Sequence, residues 1–152
     1  MQANIKDYIF VSLQLLLFIA FVFKVDGALE LFHGMKTFGI FLLLFGGILL
    51  LISLLQLNKN LSPFPTPKAD AALIQTGLYK YIRHPIYTSI LILFIGYSLY
   101  QNSIYKLAIT LLLGGLFYFK SKYEENQLAI KFTEYPAYKN KTGRFLPKFF
   151  SK

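Results

Sequence analysis

The stretch GLYKYIRHPIY, residues 77–87, sets Lys80, Arg83 and His84 among three tyrosines, directly before an uncharged run. Pro85 has no backbone N–H to leave unpaired, so it suits a first helical position, with Ile86–Tyr100 continuing the helix. His84, Tyr87 and Leu91 then share one stripe at i, i+3 and i+7. Further along, Lys120, Glu124 and Leu128 form a second stripe at i, i+4 and i+8, with Glu125 beside Glu124. Each group alone has a plain explanation. Arginine, histidine and tyrosine anchor helices at headgroup depth, and a Lys–Glu pair in this order is a weak helix surface contact. Together they suit a cationic ligand, because tyrosine faces attract cations and carboxylates hold ammonium or hydroxyl groups. Paired carboxylates beside an anionic leaflet gain nothing from the lipid.

The elements that must position these groups are membrane spans. Tyr8–Phe23 and Thr37–Leu57 carry no charge. A helix over the second covers ~30 Å, the hydrocarbon thickness. The first run is long for a signal-peptide core and lacks a small-residue cleavage site directly after it, which favours a retained span. Residues 58–77, NKNLSPFPTPKADAALIQTG, contain three closely spaced prolines that forbid a continuing helix. Asp70 is the expected N-cap of a short helix ending at Gly77. The third span is 85–100. QNS at 101–103 turns the chain, with Asn102 or Ser103 capping a fourth span over 104–119, where Lys106 is expected to snorkel. Helix is predicted to continue beyond Phe119 and stop before Pro136. The basic, aromatic tail suits a membrane surface. Gly46–Gly47 and Gly114–Gly115 are candidate helix contacts, within or between chains.

Composition agrees. The chain has 152 residues, 55% hydrophobic and 15% charged, which suits one helical membrane domain over 1–152. It lacks cysteine, and its histidines are only His33 and His84, so thiolate and multi-histidine metal sites are excluded. The formal charge is +9. The cations flank apolar runs, which points to anionic lipid rather than nucleic acid. Thirteen of the sixteen lysines and arginines fall on the side holding both termini, the proline-rich loop and the tail. The positive-inside rule puts that side in the cytoplasm. No charge lies mid-span, which argues against an ion pathway.

The pattern GxYxxxRHPxY at 77–87, a helical hairpin, EExxL at 124–128, YxxY at 135–138 and RFLP at 144–147 resembles a membrane superfamily. Its members are isoprenylcysteine carboxyl methyltransferases and phospholipid methyltransferases, and the loop at 61–87 is similar to the short bacterial ones. The resemblance runs from about Pro63 to Pro147. It implies an all-α integral membrane bundle in the bacterial cytoplasmic membrane, with cytoplasmic segments 63–84 and 120–147. It implies S-adenosyl-L-methionine as donor, bound without a Rossmann fold, and the sequence has no G-x-G-x-x-G unit. By similarity, Leu73, Ile74, Tyr79, His84, Pro85, Tyr87, Glu124, Glu125, Tyr138 and Arg144 are expected to bind the cofactor. Arg83 and Glu124 are the expected catalytic residues. Lys120 stands where some relatives carry a substrate-contacting arginine. Lysine lacks arginine's planar fork, so a carboxylate acceptor is not fixed. Lys141 is an alternative to Arg144 in the segment that closes over the cofactor.

Methyl transfer asks little covalent chemistry of the protein; alignment and exclusion of water supply most of the rate. A carboxylate or thiolate acceptor needs no general base. An amine acceptor would need one, and His84 is the candidate if it faces the acceptor. The expected partners are a lipophilic small molecule, lipid or lipidated acceptor and membrane lipids. The competing view is a small non-catalytic membrane interaction protein of the same fold.

Overall fold

The computed structural model describes residues 3–25 and 33–148. Its helices are α1 (Ile5–Val22), α2 (His33–Leu57), α3 (Pro85–Tyr100), α4 (Ile104–Lys131) and the short α5 (Tyr135–Lys141). Among the described residues there is no strand, only an isolated parallel bridge between Ile82 and Gly143. Helices α1, α2 and α4 are long and apolar enough to cross a membrane, and α3 is a shorter apolar helix. Their large apolar side chains, Leu16, Ile19, Leu44, Leu55 and Leu111 among them, point outward. Such a surface is untenable in water and ordinary in lipid. The expected helical membrane bundle is what the chain forms.

Local chemistry fixes the helix starts. Asn4 and Asp7 form a reciprocal capping box on α1, Pro85 opens α3, and the Ser103 hydroxyl accepts the Lys106 amide at the head of α4. Asn102 takes the left-handed conformation, φ 50°, that the tight turn requires. Packing runs α2 on α3, α3 on α4 and α4 on α1. Helices α2 and α3 meet backbone to backbone at Gly39 and Gly96: a Cβ on Gly96 would lie 2.7 Å from the Gly39 carbonyl oxygen. Gly46 likewise faces the Leu93 backbone, whereas a Cβ on Gly47 or Gly115 meets nothing within 4 Å among the described residues.

Three expectations need correction. Asp70 caps no helix: between a 3-10 turn at Asn58–Asn60 and another at Gly77–Lys80 the loop has none. Its amides are taken by side chains instead, Ala72 N–H by Asn60 Oδ1 and Leu78 N–H by Gln56 Oε1, and Gly77 turns at φ 60°. Lys106 does not snorkel. It is buried and donates to the carbonyls of Phe21 and Phe23, the unsatisfied acceptors at the end of α1. The tail does not simply lie on a surface. It stops being helical at Lys131, restarts at Tyr135 with Pro136 in the first turn, and folds back beside Ile82–His84. There Arg83 N–H donates to the Gly143 carbonyl at 2.8 Å and His84 N–H to that of Arg144 at 3.1 Å.

The candidate active site

One end of the bundle gathers the start of α1, the 58–84 loop, the start of α3, the second half of α4 and the tail. Asp7 makes the first join. Its fully buried carboxylate accepts from the Thr66 amide at 3.1 Å and the Thr66 hydroxyl at 2.9 Å, so α1 holds the proline-rich loop. The tail makes the second. Tyr138 donates its hydroxyl to the Tyr79 carbonyl at 2.6 Å. Burial pushes the Tyr138 phenol up to about 12, so it keeps the proton it donates. Burial also raises Tyr79 and Tyr135.

The two adjacent glutamates diverge. Glu125 is 1% exposed and held by Arg83 Nη2 at 2.9 Å, Lys139 Nζ at 3.1 Å and His84 Nε2 at 3.3 Å. Arg144 grips it with two bonds, Nε and Nη2, each 3.0 Å long. These contacts raise the Arg144 guanidinium above its ordinary value. Arg83 also donates to the Lys139 and Thr142 carbonyls, so one buried carboxylate knots α3, α4 and the tail together. Glu124, 27% exposed at its side chain, instead accepts the Tyr87 hydroxyl at 2.8 Å and stands 3.8 Å from His84 Nδ1. The His84 and Tyr87 rings stack at 5.4 Å and an interplanar angle of 2°, and Tyr87 stacks on Phe117 at 4.5 Å. Lys120 makes no pair with Glu124; it donates to Gln14 Oε1 at 2.6 Å and to the Pro63 carbonyl at 2.9 Å.

Two cavities open beside these groups. The larger, about 320 Å³, is walled by Gln14, His84, Tyr87 and Lys120, with Ile86 and Ile90 as its apolar face. The smaller, about 100 Å³, is walled by the extended backbone at Ala71–Ile74 and by Phe132, Tyr135 and Tyr138. Tyr79, Arg83 and Glu124 border both. The expected residues therefore divide. Leu73, Ile74 and Tyr138 face the smaller cavity and His84, Tyr87 and Lys120 the larger. Pro85, Glu125 and Arg144 border neither; they hold the frame. Lys141 is exposed, and Arg144 rather than Lys141 engages Glu125.

Sequence reasoning missed Asp7, Gln14, Tyr135 and Lys139. Gln14 was visible as a polar residue inside an apolar span, a pattern that often marks a functional position. Tyr135 gave no such signal beyond standing in YxxY. It is 1% exposed, and its hydroxyl has no partner among the described residues. An orphaned hydroxyl in a cavity wall suits a polar ligand atom.

No curated protein matches the chain. Residues 35–135 match the Phospholipid methyltransferase family, about two thirds of the chain, including α2, α3, α4 and the loop that walls both cavities, and the chain belongs to that family.

Proposed function

We propose that the protein transfers a methyl group from S-adenosylmethionine to a lipophilic acceptor, with the gathered end of the bundle in the cytoplasm. One observation carries this: Glu124 and Tyr79 border both cavities, so a donor in one compartment and an acceptor in the other meet at a shared wall.

The residues present fit such a donor. The Leu73 and Ile74 peptide groups make no hydrogen bond among the described residues and lie beside aromatic rings, a setting for a flat nucleobase. Tyr135 offers its free hydroxyl. Glu124 offers a carboxylate, and the tyrosine faces offer cation–π stabilisation. Bound there, S-adenosylmethionine supplies a methyl group to the acceptor's lone pair, the sulfur keeping the bonding electrons. Glu124 orients the donor's polar groups, with its own position set by Tyr87 and His84. Arg83 acts as a positioning residue, its guanidinium committed to Glu125 and tail carbonyls. Tyr138 closes the compartment against water, which leaves alignment to do most of the catalysis. His84 borders the acceptor side, where it can receive a proton from an amine.

Calorimetric titration of the full chain in detergent with S-adenosylmethionine and S-adenosylhomocysteine tests the proposal. Saturable binding of both, with methyl transfer into added membrane lipid, is expected. Folded protein that binds neither overturns it.

A further inference from the structure

Tyr135 opens α5, with its backbone N–H bonded to the Phe132 carbonyl at 3.1 Å and its ring edge-on to Tyr138 at 5.9 Å. The residue is 1% exposed, yet its hydroxyl meets no partner among the described residues. Three residues on, the Tyr138 hydroxyl is committed to the Tyr79 carbonyl. Burial, and after it the Glu125 carboxylate, raises the Tyr135 phenol well above its ordinary value. It therefore keeps its proton and presents a donor at the wall of the smaller cavity. A buried polar group without a partner costs stability, and phenylalanine would fill the same space without that cost. A hydroxyl retained there needs a partner that arrives with a ligand.

The surrounding wall selects the partner. Arg83 and Glu124 are the charged residues bordering the smaller cavity, and both border the larger one too. The 71–74 segment, Phe132, Tyr135 and Tyr138 border the smaller cavity alone and carry no charge. S-Adenosylmethionine has a charged end, the sulfonium with its amino-acid chain, and a neutral end, the purine. The charged end suits the shared wall, and the flat purine suits the uncharged aromatic recess. The edge of a purine carries ring nitrogens that accept hydrogen bonds.

We propose that the Tyr135 hydroxyl donates to a ring nitrogen of the donor's purine and so sets the nucleobase specificity of the smaller cavity. The assignment rests on the methyl-transfer proposal and deepens it. A site built to hydrogen-bond a ligand atom rejects the analogue lacking that atom, because its own buried group is then left unpaired. Ligand-free protein carries the unpaired hydroxyl and liganded protein does not, so Tyr135 exchanges stability for selectivity.

Tyr135→Phe separates this role from a structural one. It keeps the ring packing and removes the unpaired group, so ligand-free protein should melt at the wild-type temperature or slightly above it. S-adenosylhomocysteine affinity should nevertheless fall roughly ten-fold. Calorimetric titration of the full chain in nonionic detergent with S-adenosylhomocysteine and its 1-deaza, 3-deaza and 7-deaza analogues tests the assignment. Each analogue replaces one ring nitrogen by CH. The wild type binds one of the three roughly ten-fold more weakly than the parent compound. In Tyr135→Phe that analogue and the parent bind alike, because the nitrogen has lost its donor and the two changes are not additive. Wild type that binds all three analogues as tightly as the parent overturns the assignment and leaves methyl transfer standing. So does Tyr135→Phe that retains the full penalty for the weak analogue, or that melts clearly below wild type without ligand. Folded wild type that binds neither S-adenosylhomocysteine nor S-adenosylmethionine overturns both proposals.

Discussion

Tyr87 donates its hydroxyl to Glu124 Oε2 at 2.8 Å across the space between α3 and α4. The next residue, Glu125, is gripped from the other direction by Arg83, Lys139 and Arg144. A helix turns by about 100° per residue, so neighbours on it cannot face the same way. Here that rotation separates a carboxylate at a cavity from a carboxylate in a frame.

The two glutamates should therefore fail differently. Glu124→Gln keeps an acceptor for Tyr87 and loses the charge. Its unfolding temperature should stay near wild type, while S-adenosylhomocysteine affinity falls by about 1.5–3 kcal/mol, measured calorimetrically. Glu125→Gln leaves Arg83, Arg144 and Lys139 without their shared anion. It should destabilise the fold by about 3–5 kcal/mol, the scale for breaking a buried ion cluster. An unchanged melting profile for Glu125→Gln contradicts the assignment.

Docking of the tail depends on Arg144. Its two bonds to Glu125 and its place 5.1 Å over the Tyr118 ring need a planar cation. Arg144→Met should speed proteolytic cleavage within 139–148 and weaken S-adenosylhomocysteine binding together, because Tyr138 walls the smaller cavity from the same segment. Arg144→Lys should recover little of either. Tyr138→Phe tests the inner contact by leaving the buried Tyr79 carbonyl unpaired, at about 1–3 kcal/mol.

Asp7 ties the first helix to the loop, and its loss should be felt at the loop. Asp7→Ala strands the Thr66 amide and hydroxyl and removes half of the α1 capping box. A loss of about 1–3 kcal/mol is expected. Hydrogen exchange should rise at 61–68 before it rises in α3. Protection unchanged in that segment would show that the prolines alone hold it.

The spans, the start at Pro85 and the convergence of His84 with Glu124 were legible because each rests on a local rule: an uncharged run, a missing N–H, a helical repeat. The loop at 58–77 was not, because its amides are satisfied by Asn60 and Gln56 rather than by a helix. No periodicity encodes such bonds. Lys106 was misjudged, and the Lys120–Glu124 surface contact does not form, for one common reason. Each lysine is buried by a partner on α1 that is remote in sequence, the Phe21 carbonyl in one case and Gln14 in the other. The hold on Glu125 was not legible either, because Lys139 and Arg144 reach it from a tail that no local rule folds back onto α4.

Packing of α2 on α3 gives the last test, with an internal control. A Cβ at Gly96 would stand 2.7 Å from both the Gly39 carbonyl oxygen and the Leu43 nitrogen. Those are backbone atoms, so no rotamer change can relieve the clash, and the helices must move apart. Gly96→Ala should cost about 1–3 kcal/mol, as overpacking does. Gly47→Ala on α2 meets nothing within 4 Å and should leave stability unchanged or slightly raised, since alanine favours helix. Thermal unfolding in one detergent compares them directly. Because α3 carries His84 and Tyr87 at its start, Gly96→Ala should also weaken S-adenosylhomocysteine binding, and Gly47→Ala should not. Equal melting temperatures for the two variants would mean that the Gly39–Gly96 contact does not set the spacing on which the site depends.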